Sequence, residues 1–129
     1  MQKILDLTIG AEPVPKGRPR FLPNGIPYTP RKTREAEKDL RWAARVKMDR
    51  LGNVYLPREP TYKVRLQFFC SDRRRRDIDN LEKLVLDALE GVVWRNDSQI
   101  EDLYSTVRRS CPEPKTCIEV YECIEVYGC

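Results

Sequence analysis

Six of the ten prolines in this 129-residue chain fall within residues 13–30, alongside Gly17 and Gly25. Proline fixes φ and lacks a backbone donor, so that density forbids a helix or an interior strand, and a long, stiffened loop without regular structure is expected. The core must then be built from one element before the loop and several after it. The length is that of one domain, so residues 1–129 are expected to form a single unit, with dimerisation as a means of completing it. A loop this long in a small domain usually has a function. This one is cationic: Lys16, Arg18, Arg20, Arg31, Lys32 and Arg34 occur between residues 13 and 34 with no acid. Lys16, Arg18 and Arg20, with Tyr28, would present charge and an aromatic ring to a nucleic-acid backbone and its bases. The same composition also suits a solvated surface loop.

Residues 3–11 alternate, with Leu5, Leu7, Ile9 and Ala11 on one side, and read as a strand with one buried face. After the loop, Thr33 is placed to cap a helix. Ala36, Leu40, Ala43, Ala44 and Met48 form its apolar stripe and Gly52 stops it. Arg34, Lys38, Arg41, Arg45 and Lys47 decorate its other side and read as a solvated face. Residues 61–70 alternate again through Tyr62, Val64, Leu66, Phe68 and Cys70, with Phe69 the exception. From residue 80 to 93 the period becomes helical: Leu81, Leu84, Val85, Ala88, Leu89 and Val92 form the buried stripe, Asp79 or Asn80 is the natural N-cap, and Gly91 lies near the end. Asn96-Asp97-Ser98 is turn chemistry leading to a third strand near residues 100–109. Pro112 and Pro114 break the chain before a last strand from Thr116. The expected architecture is α/β (α+β): a mixed four-stranded sheet with two helices in the order β-α-β-α-β-β.

The tail repeats itself, residues 117–122 (CIEVYE) being followed by residues 123–128 (CIEVYG). Six is an even step, so either copy shows the same face to a sheet, and one is expected to pair while the other is surplus. The five cysteines, with no secretion signal, argue against a disulfide scaffold, and the strand setting of Cys117 and Cys123 argues against structural zinc. Histidine is absent, which excludes His-metal sites and His-assisted triads. No signal-like or membrane-spanning run is present, so a cytoplasmic location is expected. The net charge of +4 is modest. Its distribution says more, since a basic loop contrasts with Glu119, Glu122 and Glu125 in the tail and gives the fold a basic face.

Cations and carboxylates both peak at residues 73–97. The run Arg73-Arg74-Arg75-Arg76 repels itself unless a polyanion lies nearby. Asp77 and Asp79 are two apart in extended backbone entering a helix, so they leave from the same side and can chelate one cation. Magnesium suits such a site, because one or two carboxylates leave room for water and phosphate oxygens. Lys83, one turn beyond Asp79, can meet charge developing on an attacked phosphodiester. Asp97, returning after the same helix, would add a third carboxylate. A metal acting as Lewis acid and water activator removes the need for histidine. Each residue also has a plain reading: Asp79 as a cap, Lys83 paired with Asp79 or Asp87, the arginines as a solvated loop or targeting patch, Asp97 as a turn residue. Their coincidence points to a metal-dependent phosphodiesterase.

The series Lys16-Gly17-Arg18-Pro19-Arg20, Tyr28-Thr29-Pro30, Asp77-Ile78-Asp79-Asn80-Leu81-x-Lys83, Asp87-Ala88-Leu89 and Asn96-Asp97-Ser98-Gln99-Ile100 resembles the RusA family of Holliday-junction resolvases of bacteria and their phages. The resemblance covers nearly the whole chain. It implies Asp77, Asp79 and Asp97 as metal-binding carboxylates and Lys83 as the essential lysine. It further implies Mg2+, with Mn2+ able to substitute, and a homodimer that nicks two strands of a four-way DNA junction symmetrically, with Lys16, Arg18, Arg20 and Arg73, Arg74, Arg75 and Arg76 on the DNA. Many members carry an Asp pair where this chain has Asn96-Asp97, and the duplicated tail has no obvious counterpart. A less selective flap or single-strand nuclease, and a junction-binding module with a degraded site, remain the alternatives. Phe21 and Trp94 are candidates for stacking at a branch point, although Trp94 better suits the core.

Overall fold

The alternating and helical apolar patterns converge on one layered unit, seen in a computed structural model that describes residues 1–50, 52 and 54–124. The elements are β1 (Gln2–Ile9), β2 (Arg20–Phe21), β3 (Pro27–Tyr28), α1 (Arg31–Lys47), β4 (Thr61–Phe69), α2 (Ile78–Leu89), a 3-10 turn (Asp97–Gln99), β5 (Ile100–Arg108) and β6 (Lys115–Cys123). Four strands make the main sheet in the order β1-β6-β4-β5. β6 runs antiparallel to both neighbours, and β4 and β5 are parallel with α2 as their crossover. This is the mixed four-stranded sheet and two-helix order expected from the sequence. The small β2–β3 ladder is additional. It lies inside the proline-rich loop, which was expected to lack regular structure. Pro27 can join because it sits on a two-residue edge ladder, where a missing donor is tolerated.

One face of β4, formed by Tyr62, Val64, Leu66 and Phe68, is buried, as are Ile118 and Val120 of β6. These side chains meet Leu81, Leu84, Val85, Ala88 and Leu89 of α2, Leu40 and Ala44 of α1, and Trp94. Each large side chain buried there contributes about 1.5–3 kcal/mol. Trp94 is fully buried, whereas Phe21 is exposed. Of the duplicated hexapeptide, residues 117–122 pair on both sides within β6. Residues 125–128 of the second copy lie outside the described residues.

Four helix boundaries differ from expectation. α1 begins at Arg31 with Pro30 at the N-cap, not at Thr33. Thr33 is buried, and its Oγ1 accepts a hydrogen bond from the Gly17 amide at 3.0 Å. α1 also stops earlier than Gly52, at Met48, and Asp49 takes a positive φ of 55°. α2 starts two residues early, with Asp77 as N-cap, and ends at Leu89; Gly91, at φ 83°, then turns the chain so that Val92 and Val93 are buried outside the helix. Among the described residues no helix is long and apolar enough to cross a membrane.

Candidate active site and nucleic-acid interface

The loop that enters α2 is fixed by Arg76, whose side chain is 9% exposed. Its guanidinium donates to Asp72 Oδ1 at 2.9 Å and to Glu12 Oε1 at 3.0 Å. The Arg76 hydrogen bond, with the Arg74 amide, holds the Asp72 carboxyl well below its ordinary value, at about 2. Glu12 also accepts from the Ser71 amide at 3.1 Å. The arginine run thus divides: Arg76 is a clamp inside the fold, and Arg73, Arg74 and Arg75 are exposed. Asp72 lies only four residues before Arg76, but nothing local announces the partner that completes the clamp, because Glu12 is 64 residues away.

Beyond the clamp, Asp77 takes the N-cap backbone of α2 without capping through its side chain. Its Oδ2 receives Asn80 Nδ2 at 3.4 Å, and Asp79 lies in the first helical turn, exposed and, among the described residues, without an ion-pair partner. Both carboxylates stand at the positive end of the helix dipole. Lys83 is exposed one turn further on and, among the described residues, makes no ion pair with Asp79 or Asp87. Asp87 instead accepts from Lys16 Nζ at 3.1 Å, and the same ammonium pairs with Glu37 of α1. Lys16 also donates its amide to the Asn80 carbonyl at 2.8 Å. It therefore ties the proline-rich loop to both helices and is only 22% exposed. Arg18 and Arg20 remain open to solvent.

Asp97 stands at the other end of α2. Its amide donates to Glu90 Oε2 at 2.9 Å, and its Oδ1 accepts from Trp94 Nε1 at 2.6 Å. A capping box sets the turn: Asn96 Oδ1 accepts from the Ser98 amide, and Gln99 Oε1 accepts from the Asn96 amide. Gln99 Nε2 then donates to the carbonyls of Pro57 and Pro60, both at 3.1 Å. Asn96 is accordingly a cap, a role its Asn-x-x-Gln spacing could have signalled. Burial pushes the Asp97 carboxyl up, the Trp94 hydrogen bond opposes this, and the charges of Glu90 and Asp87 push it further up. Asp77 and Glu90 flank the twelve residues of α2, so roughly 18–20 Å of helix lies between them. Asp77, Asp79 and Lys83 are brought to one end of α2, and Asp97 is not brought to them.

The family described as "Endodeoxyribonuclease RusA" matches residues 11–121, which takes in the loop, both helices and the turn just described. The chain belongs to the RusA family. Named RusA proteins share 46% identity with it over 41 residues, 31% of this chain and 34% of theirs. They include the "Crossover junction endodeoxyribonuclease RusA" of Escherichia coli K12 and of Shigella sonnei Ss046, and that of Enterobacteria phage 82. The matched stretch thus spans about a third of the length of these curated relatives.

For a RusA-family chain the metal question can be put to the donors themselves. Among the described residues no three His, Cys, Asp or Glu side chains converge to hold an ion. Magnesium does not require three: one or two carboxylates suffice when water and substrate phosphate complete the octahedron. Asp77 and Asp79 are hard oxygen donors, both exposed, and among the described residues neither is held in an ion pair. α2 takes in Asp79, so the two are not alternating positions of one extended segment as the spacing suggested; what fits a divalent cation is their donor chemistry and exposure.

Proposed function

We propose that this chain, as a single RusA-type domain acting in a homodimer, is a divalent-metal-dependent endodeoxyribonuclease that resolves four-way DNA junctions by paired nicks. The observation that carries the reading is the exposed first turn of α2. There Asp77, Asp79 and Lys83 stand without ion-pair partners among the described residues, in a protein whose neighbouring Lys16, Arg76, Asp72 and Asp87 are all paired. The names of the relatives, crossover junction endodeoxyribonucleases, supply the substrate.

Asp77 and Asp79 would hold the cation, magnesium or manganese. Bound there, it would supply Lewis acidity and an activated water. Lys83 carries a free ammonium along the same helix face and stabilises negative charge as it develops on the attacked phosphate. Arg73, Arg74 and Arg75, with Arg18 and Arg20, hold neighbouring phosphates, giving steeply salt-dependent binding. The clamp at Arg76 positions the arginine loop against the first turn of α2. Asp97 lies beside Glu90 at the opposite end of α2, so within one copy it stands apart from Asp77 and Asp79, and it would add a third carboxylate only where a second copy brings it to that pair. A two-fold dimer matches the near two-fold symmetry of a junction and sets one site on each of two strands.

The test compares wild type with Asp79→Asn on a labelled four-way junction and on a linear duplex of matching sequence, in magnesium or EDTA. Paired nicks restricted to the junction are expected. They should vanish in EDTA and fall on the order of a hundredfold or more in the variant, while binding persists. Binding without nicks by wild type would sink the nuclease reading and leave a junction-binding module. Equal cutting of flaps and single strands would sink the junction selectivity.

A further inference from the structure

α1 carries an exposed tryptophan that the site above does not use. Trp42 is 60% exposed, on the side of α1 turned away from Leu40 and Ala44. It lines a shallow groove of about 580 Å³ together with Arg34, Lys38 and Arg45. Lys38 is one turn before Trp42 and Arg45 one turn after it, so they flank the ring along a single stripe. The acids that would normally neutralise such a stripe are engaged elsewhere. Glu35 accepts from Arg31 Nε at 2.8 Å and Glu37 pairs with Lys16. Arg34, Lys38 and Arg45 are left without a carboxylate partner among the described residues. Asp39 is the remaining acid on the rim, and Arg41 adds a further cation while bonding to the Asp87 and Ala88 carbonyls.

We propose that this face of α1 is a second nucleic-acid site, in which Trp42 stacks on an unpaired base of a single strand while Arg34, Lys38 and Arg45 hold its phosphates. From Arg34 to Arg45 the helix rises roughly 16 Å, close to the rise of five stacked nucleotides at about 3.4 Å each. Base stacking on an aromatic ring tolerates any sequence, so the site would grip an opened strand without reading it. A second copy of the chain fits this face poorly. Across a two-fold axis the patch would meet itself, bringing unpaired cations together. α1 packs on α2, so the helix that carries Trp42 is the immediate neighbour of the helix that carries Lys83. The inference rests on the nuclease reading for the source of that strand, a branch point with unpaired bases.

The experiment uses the full chain in EDTA with a mixed-sequence single-stranded oligonucleotide, read by tryptophan fluorescence and by anisotropy of a labelled strand. Trp94 is fully buried, so quenching reports Trp42. Wild type should be quenched on binding. Trp42→Ala should lose the quench and bind roughly five- to a hundredfold more weakly, and Trp42→Phe should recover part of the affinity without the quench. Replacing Arg34, Lys38 and Arg45 with Ala should flatten the slope of log affinity against log salt by about two. An unquenched wild type, or a Trp42→Ala protein that binds like wild type, overturns the proposal. So does a Trp42→Ala protein whose main change is loss of self-association in sedimentation, which would make the face a contact between copies. The oligonucleotide arm needs no cleavage: quenching by a protein that fails to cut junctions would leave this site standing while the nuclease reading falls.

Discussion

Replacing Lys16 with Met separates two roles that its sequence setting allows, a phosphate contact and a structural tie. The substitution keeps the apolar stem and deletes the ammonium that joins Glu37 of α1 to Asp87 of α2. Breaking a fully buried pair from one side costs about 3–5 kcal/mol. Here the side chains of Lys16, Glu37 and Asp87 are 22%, 16% and 34% exposed, so water partly restores the stranded carboxylates. A loss of roughly 2 kcal/mol is expected, or about 6–10 °C in Tm for a domain of this size. Burial lowers the Lys16 pKa, but its hydrogen bonds to Glu37 and Asp87 more than reverse this, so the folded value lies above 10.5. A cation with a raised folded pKa stabilises fully below its unfolded value and loses that contribution as pH rises through the folded one. The gap in Tm between the two proteins should therefore be constant across neutral pH and close only above pH 10.5. Circular-dichroism melts over a pH series provide the measurement, and a cycle with Glu37→Gln should return a coupling of roughly 1–2 kcal/mol. DNA affinity should keep its salt slope. A Tm unchanged within about 1 °C, with a salt slope shallower by about one, would refute the structural role and make Lys16 a phosphate ligand.

Asp97→Asn should abolish cleavage yet stabilise the protein. A carboxyl with a raised folded pKa costs stability as pH climbs from 3.8 through the raised value, so removing the charge should add up to about 1 kcal/mol at neutral pH and little near pH 3.8. A lower Tm at neutral pH would contradict the crowding by Glu90 and Asp87. Gly17→Ala should destabilise by about 1–3 kcal/mol, because the added Cβ would meet Thr33 Oγ1 at 2.8 Å and Pro30 Cγ at 3.1 Å. Urea titration measures it, and a neutral result would show that the loop can shift away from α1.

The apolar periodicity of β4 and α2 was legible because each has one wet and one dry face, and all six residues assigned to the α2 stripe are buried. What could not be read were choices made by distant partners. Thr33 has the chemistry of a cap, but its hydroxyl is taken by the amide of Gly17, 16 residues earlier. Four adjacent arginines look equivalent until Glu12 selects Arg76. The spacing of Asp77 and Asp79 fixed their common place at the head of α2. The later position of Asp97 left open whether the chain had returned to that head, and it stands instead beside Glu90 at the foot. Trp42 lay within a helix whose cations looked solvated, and only the pairing of Glu35 and Glu37 elsewhere isolates it.

β6 is the last of the four main strands in the chain, yet it sits between β1 and β4 in the sheet. During synthesis β1 must wait unpaired while more than a hundred residues are added, and β4 with β5 can offer it no edge until residues 115–123 have left the ribosome. The decisive step in folding the sheet is thus long-range pairing, and it is correspondingly slow. A truncation that removes β6 would strip the centre of the sheet, leaving two exposed strand edges prone to pairing with other chains.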